Sequence, residues 1–175
     1  MSKMTRVPMI DIAPFLSGSE QGKREVADQI DRAAREIGFF LISGHGVDET
    51  LVERTYAMVR AFFDMPEVEK LKIRQPAPNI SRGYTALGGE TLSAGLGEAA
   101  PADLKEMIDI GPVDVPGGEY YERREAGNHF HNNLWPASPS GFQQTMESYY
   151  RRMNRLANDL MAIFAHALDL PENFF

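Results

Sequence analysis

One long apolar stripe near the C-terminus constrains this chain more than anything else in it. Phe142, Met146, Tyr149, Met153, Leu156, Leu160, Ile163 and Ala167 step by four and three residues in alternation. That spacing puts all eight on one face of an α-helix. Tyr150, Ala157, Phe164 and Leu168 widen the face. Ser138 followed by Pro139 suits an N-cap and first helical position, and Pro171 suits a stop. The pattern predicts a helix of some 30 residues, about 45 Å at 1.5 Å per residue. Such a helix must cover its stripe. A core helix is the plainer reading, and a coiled-coil seam is the alternative.

The rest of the chain is sized to provide that cover. At 175 residues and 43% hydrophobic, it suits one domain, 1–175, able to bury roughly 70% of its unfolded surface. No apolar run approaches the ~20 residues of a membrane span, and the opening MSKMTRVPMIDIAPF lacks the apolar region of a signal peptide. With no cysteine, disulfides, iron–sulfur clusters, thiolate zinc sites and thiol nucleophiles are excluded. A cytoplasmic protein is expected. The net charge of -7 falls wholly on residues 88–175, because the first 87 carry 12 basic and 12 acidic side chains. The densest basic cluster is Arg151, Arg152 and Arg155, too small for a nucleic-acid footprint.

Several shorter elements precede the long helix. Val7-Pro8-Met9-Ile10-Asp11 reads as a short strand at a sheet edge, since Pro8 cannot donate to a ladder, and Ala13-Pro14 then turns the chain. Val26, Ile30, Ala33, Ala34 and Ile37 predict a helix over 21–37, ended by Gly38. Phe39-Phe40-Leu41-Ile42 reads as a strand buried on both faces. Asp48 suits the N-cap of a helix over about 49–64. There the rows Leu51/Thr55/Met58/Phe62 and Val52/Tyr56/Val59/Phe63 predict a wide buried face. A short helical turn follows at 66–71. Residues 75–103, rich in Pro and Gly, read as a long surface loop. Residues 106–110 read as a strand and 112–140 as irregular. The fold class is mixed α/β, helix-rich, with few short strands and one long C-terminal helix.

Candidate chemistry is sparse. Nucleophile-elbow, P-loop and H-E-x-x-H motifs are absent, and Gly95-Leu96-Gly97-Glu98 resembles a phosphate loop only faintly. His129 and His131 would share a face in a strand and could bind one metal. Their neighbours Gly127, Asn128, Asn132 and Asn133 favour an irregular loop instead, and two imidazoles fall short of a site without a carboxylate. His45, between Gly44 and Gly46, suits a ligand or base, or a residue satisfying local backbone. His166 sits beside the apolar stripe. Arg82-Gly83-Tyr84 offers a guanidinium fork and a phenol that could hold a substrate carboxylate, against the plainer reading of a surface arginine beside a packed tyrosine. Lys105 is a weaker candidate of the same kind.

Taken in order, these residues resemble a known family. Val7-Pro8-Met9-Ile10-Asp11, then Gly38-Phe39-Phe40-Leu41-Ile42-Ser43-Gly44-His45-Gly46-Val47, are similar to the N-terminal region of the isopenicillin-N-synthase-like iron(II)/2-oxoglutarate oxygenases. Ala61-Phe62-Phe63, Glu69-Lys70, Arg82-Gly83-Tyr84, Leu104-Lys105-Glu106, Asn133-Leu134-Trp135-Pro136 and Leu170-Pro171-Glu172-Asn173-Phe174-Phe175 continue the match. The resemblance implies a wrapper region normally packed on a double-stranded β-helix, or jelly-roll, core. It also implies Fe(II) and 2-oxoglutarate as cofactors of the complete enzyme, and a small-molecule substrate met by Arg82, Tyr84 and Lys105. His45 matches a motif residue of structural role.

That core would carry a His-x-Asp…His iron triad and an Arg-x-Ser pair for 2-oxoglutarate. Here no histidine has an acid two residues on, and no arginine has a serine two residues on. The expectation is therefore the N-terminal part of an oxygenase, with no catalytic or metal residue of its own and no cofactor held by this chain alone. Its partner would be a catalytic core in cis or on a separate chain. Unpaired strand edges, an exposed apolar face and self-association should follow. The alternatives are a non-catalytic binding module that retains only the wrapper, and a small metal-binding protein using His129 and His131.

Overall fold

A computed structural model of the chain describes residues 6–77, 79–89, 101–124 and 126–175. Contacts divide it into two units, one of residues 1–49 and 151–175 and the other of 50–150. Glycines 95 and 97, and with them the faint phosphate-loop reading, lie outside the described residues.

In the first unit, β1 (Met9–Asp11) pairs in parallel with β2 (Leu41–Ser43), with Met9 opposite Leu41 and Asp11 opposite Ser43. A parallel pair needs a crossover, and α2 (Glu20–Glu36) provides it. Before it, α1 (Ala13–Leu16) occupies the stretch expected to be a turn; Pro14 fits because the first helical positions need no N–H partner. The Ser19 hydroxyl accepts from Gly22 N–H at 3.0 Å and caps α2. Gly38, at φ +82°, ends it, reaching the Ala33 carbonyl at 3.0 Å. The buried side of α2 is Val26, Ala27, Ile30 and Ala33, whereas Ala34 faces solvent. Val26, Ile30 and Ala33 pack with Ile10, Ile12, Phe15, Leu156 and Ile163 into a mainly aliphatic core.

The expected two-sided burial of 39–42 is corrected. Phe39 and Leu41 are 72% and 54% exposed, and so are Val7 and Met9, at 48% and 67%. Side chains alternate along a strand, so Ile10 and Ile42 face the core while Met9 and Leu41, opposite each other, share the exposed face, with Val7 and Phe39 exposed just ahead of the two strands.

The second unit is built around aromatic rings. In α3 (Glu49–Phe63), Thr55 and Phe62 are buried; of the predicted second row, Val59 and Phe63 are half-buried and pack against the core, whereas Tyr56 faces solvent. Next come α4 (Glu67–Lys70) and a 3₁₀ turn, Leu71–Ile73. The span 75–103 is not all surface loop. Gly83–Thr85 forms β3, buried throughout, antiparallel to β4 (Met107–Asp109). Two short segments, α5 (Glu119–Glu122) and a 3₁₀ turn at Ala126–Asn128, lead to the last helix.

That helix, α6, runs Phe142–Ala167, 26 residues. It starts later than Ser138-Pro139 predicts, since Gly141 at φ +82° lies outside helical space. Each unit takes part of its stripe: Phe142 and Met146 join Phe62, Ile73 and Tyr84, whereas Leu156 and Ile163 join the aliphatic core. Among the described residues, no helix is long and apolar enough to cross a membrane.

Candidate functional site

The chemistry-bearing side chains of the second unit gather around β3. Lys70, at the end of α4, and Tyr84, in β3, are 5% and 1% exposed. The Lys70 ammonium donates to Glu106 Oε2 at 2.7 Å and to the Phe63 carbonyl at 2.9 Å. It also lies 5.4 Å from the Tyr84 ring centroid and 5.9 Å from that of Phe63. The Tyr84 hydroxyl donates to the same carboxylate oxygen. A buried ammonium is costly unless paired, and this one has a carboxylate, a carbonyl and two ring faces. The hydrogen bond from Lys70, then that from Tyr84, holds the Glu106 carboxyl below the usual carboxylate range. Burial, then the bond to Glu106, pushes the Tyr84 phenol well above its ordinary value. Tyr84 is thus a fixed donor at neutral pH.

Arg82 is 5% exposed. Its guanidinium donates to the carbonyls of Ser81 at 2.6 Å, His131 at 3.0 Å and His129. It lies so close to Gly111 that a Cβ there would occupy its place. Asn133 works on the same segment, accepting from Gly111 N–H at 2.8 Å and donating to the carbonyls of Gly111 and Pro112 at 3.2 and 3.3 Å. Residues 129–133 are therefore tied to 81–82 and 111–112 by side chain to backbone bonds. Two cavities flank this segment. One, about 560 Å³, is lined by Tyr120, Arg123, Ala126, His129 and Phe130. The other, about 370 Å³, includes Val113, Phe130, His131 and Trp135.

The sequence candidates thus fall in different settings. Arg82 and Tyr84 sit together but point into protein. Lys105 is about half exposed, its ammonium 3.6 Å from Asp103. In the first unit, His45 Nδ1 accepts from Val47 N–H at 3.1 Å, and Arg152 donates to the His45 carbonyl at 2.6 Å. Gly44, at φ +66°, is required there because a Cβ would strike Asp11. His166 meets Phe15 edge-on at 5.2 Å and Glu172 at 3.1 Å. Among the described residues, no group of three His, Asp or Glu is placed to hold a metal ion.

Sequence reasoning missed Lys70, Glu106 and Asn133 as partners. Each stands in a motif of the resemblance, but nothing in their spacing says that residues 36 apart meet. It also missed Tyr120, Arg123 and Phe130, which no motif marks.

This arrangement, a parallel βαβ start and a small antiparallel pair held among helices, defines a helix-rich α/β module. The family model described as "non-haem dioxygenase in morphine synthesis N-terminal" matches residues 7–138. The chain belongs to this family. A homoarginine-6-hydroxylase of Oryza sativa subsp. japonica is 31% identical over 99% of this chain and 52% of its own length. A 2-oxoglutarate-Fe(II) type oxidoreductase of Emericella nidulans is 32% identical over 98% of this chain and 48% of its own. Among solved structures, a full-length Neurospora crassa protein in complex with alpha-KG superposes with a TM-score of 0.75 at 29% identity, over 97% of this chain and 49% of that one. The chain spans about half the length of these relatives.

Proposed function

We propose that residues 1–175 act as the N-terminal domain of an iron(II)/2-oxoglutarate-dependent oxygenase acting on a small molecule in the cytoplasm. The domain supplies scaffold and part of the substrate enclosure, and is not competent alone. The observation that carries this reading is the family match along nearly the whole chain, to relatives twice as long, in a sequence with neither a His-x-Asp nor an Arg-x-Ser. The ligands for iron and the site for 2-oxoglutarate then belong to a jelly-roll core, in cis or on a separate chain. The exposed apolar side chains of Val7, Met9, Phe39 and Leu41 support this reading as a surface that a further domain would cover. Self-association of the isolated chain is the expected consequence. Of the residues assigned to substrate, Lys105 reaches solvent; Arg82 and Tyr84 shape the enclosure through the backbone and carboxylate they hold.

The test is 2-oxoglutarate consumption with ferrous iron and oxygen. A protein joining these residues to a core with a His-x-Asp…His triad should consume it, and Arg82→Gln in that protein should reduce turnover. A correctly folded, iron-loaded protein of that kind with no consumption counts against the reading.

A further inference from the structure

The cavity of about 560 Å³ beside residues 129 and 130 has the makings of a ligand site of its own. Its apolar wall is Phe130, whose ring stands edge-on to Tyr121 at 4.9 Å and to Tyr120 at 6.2 Å between centroids. Such a cluster offers ring faces and edges to a further planar group. Tyr120 is nonetheless 67% exposed, so a large ring at the rim is left without full cover. The polar side is Arg123 and His129. Arg123 gives Nη2 to Glu119 at 2.8 Å. Among the described residues Glu119 is the side-chain partner of Arg123, and a guanidinium has five N–H donors in a planar fork, so an edge is left for a ligand oxygen. Because Glu119 offsets part of that charge, the fitting ligand is a monoanion rather than a dianion. The volume of about 560 Å³ lies within the ~300–1,000 Å³ range of small-molecule sites.

The floor is already held. Arg82, buried, takes the carbonyls of both His129 and His131, so His129 and Phe130 are placed before any ligand arrives. Preorganisation of this kind removes part of the ordering cost of binding.

We infer that the cavity bounded by Tyr120, Arg123, Ala126, His129 and Phe130 binds a small aromatic monocarboxylate, ring against Phe130 and Tyr120, carboxylate on Arg123, with Arg82 as the positioning residue beneath. This is a property of the 175-residue chain alone and stands or falls apart from any turnover.

Titration of the chain with benzoate, followed by ¹H–¹⁵N NMR, tests it, with benzamide and cyclohexanecarboxylate as comparison probes. The expected result is saturable shifts clustered at Tyr120, Arg123, His129 and Phe130, with a Kd on the order of 1 mM, and both other probes about tenfold weaker. Phe130→Leu and Arg123→Gln, on partly exposed positions, should each weaken benzoate about tenfold while the rest of the spectrum is unchanged. Equal binding of benzoate and benzamide, shifts scattered over the surface, no saturation, or wild-type affinity in Arg123→Gln would each overturn the proposal.

Discussion

The two units of this chain solve the same packing problem with different materials. The first, residues 1–49 and 151–175, has a mainly aliphatic core of Ile10, Ile12, Val26, Ile30, Leu156 and Ile163, with Phe15 buried in it and Phe40 and Phe164 packed at its margin. Its ion pairs, Lys23 with Glu172 and Arg35 with Asp31, lie at the surface. The second, residues 50–150, packs Phe62, Tyr84, Phe142 and Met146, and closes around the buried Lys70–Glu106–Tyr84 group and the Arg82 clamp. Regular elements with apolar faces stabilise themselves by burial. Segments as irregular as 101–141 cannot, so polar side chains there satisfy and fix the backbone instead. The lesson is that the unit holding the candidate site depends on a few directional contacts, whereas its companion depends on many interchangeable ones.

The largest effect that sharpens this contrast is expected at Phe62, fully buried between Phe63, Tyr84 and Phe142. Phe62→Ala should cost about 3–5 kcal/mol in urea unfolding, against about 2–5 kcal/mol for Ile30→Ala in the aliphatic core. Hydrogen exchange should show the Phe62 loss confined to amides of 50–150; a uniform loss would break the division into units.

Lys70→Met comes next. It leaves Glu106 without its ammonium, at about 1–3 kcal/mol, and Glu106→Gln in the same chain should recover part of that. A double variant as unstable as the sum of the two singles would show that the pair is not coupled.

The same group sets a pH dependence. Glu106 has a lowered pKa in the folded protein, so its contribution is fully present above the ordinary carboxylate value of about 4.3 and is lost as pH falls through the lowered folded value. Urea midpoints measured from pH 6 down to 3 should therefore fall, and fall less steeply in Glu106→Gln. In the first unit, Glu172 shifts in the same direction through Lys23 and then His166. That network is exposed, and Glu172→Gln should change the acid limb less than Glu106→Gln does.

How much of this was legible in the sequence follows the same division. The helices expected over 21–37, about 49–64 and along the C-terminal stripe could be read because periodicity is a local signal, and Gly38 marks an end by backbone chemistry, whereas the Ser19 cap went unread. Burial on the sheet could not: Phe39 and Leu41 have the composition of a core strand, but only a second layer would cover them. Nor could β3, because a Gly-led three-residue strand inside a Pro- and Gly-rich span becomes a strand only by pairing with 107–109. Arg82 and Tyr84 were picked for their functional groups, while their partners, the carbonyls of His129 and His131 and the carboxylate of Glu106, are 22 to 49 residues away. Contacts at that separation leave no pattern in one sequence.

The smallest effect expected is at the α2 cap, where Ser19→Ala should cost about 1 kcal/mol, read as a lower urea midpoint with an unchanged slope. A loss several times larger would mean that the first unit also rests on a single directional contact.

The most direct test of the central claim is 2-oxoglutarate consumption, measured side by side for these 175 residues and for the same residues joined to a triad-bearing core, each with ferrous iron and oxygen. The account predicts consumption by the joined protein and none by the 175 residues. Consumption by the 175 residues unaided would contradict it.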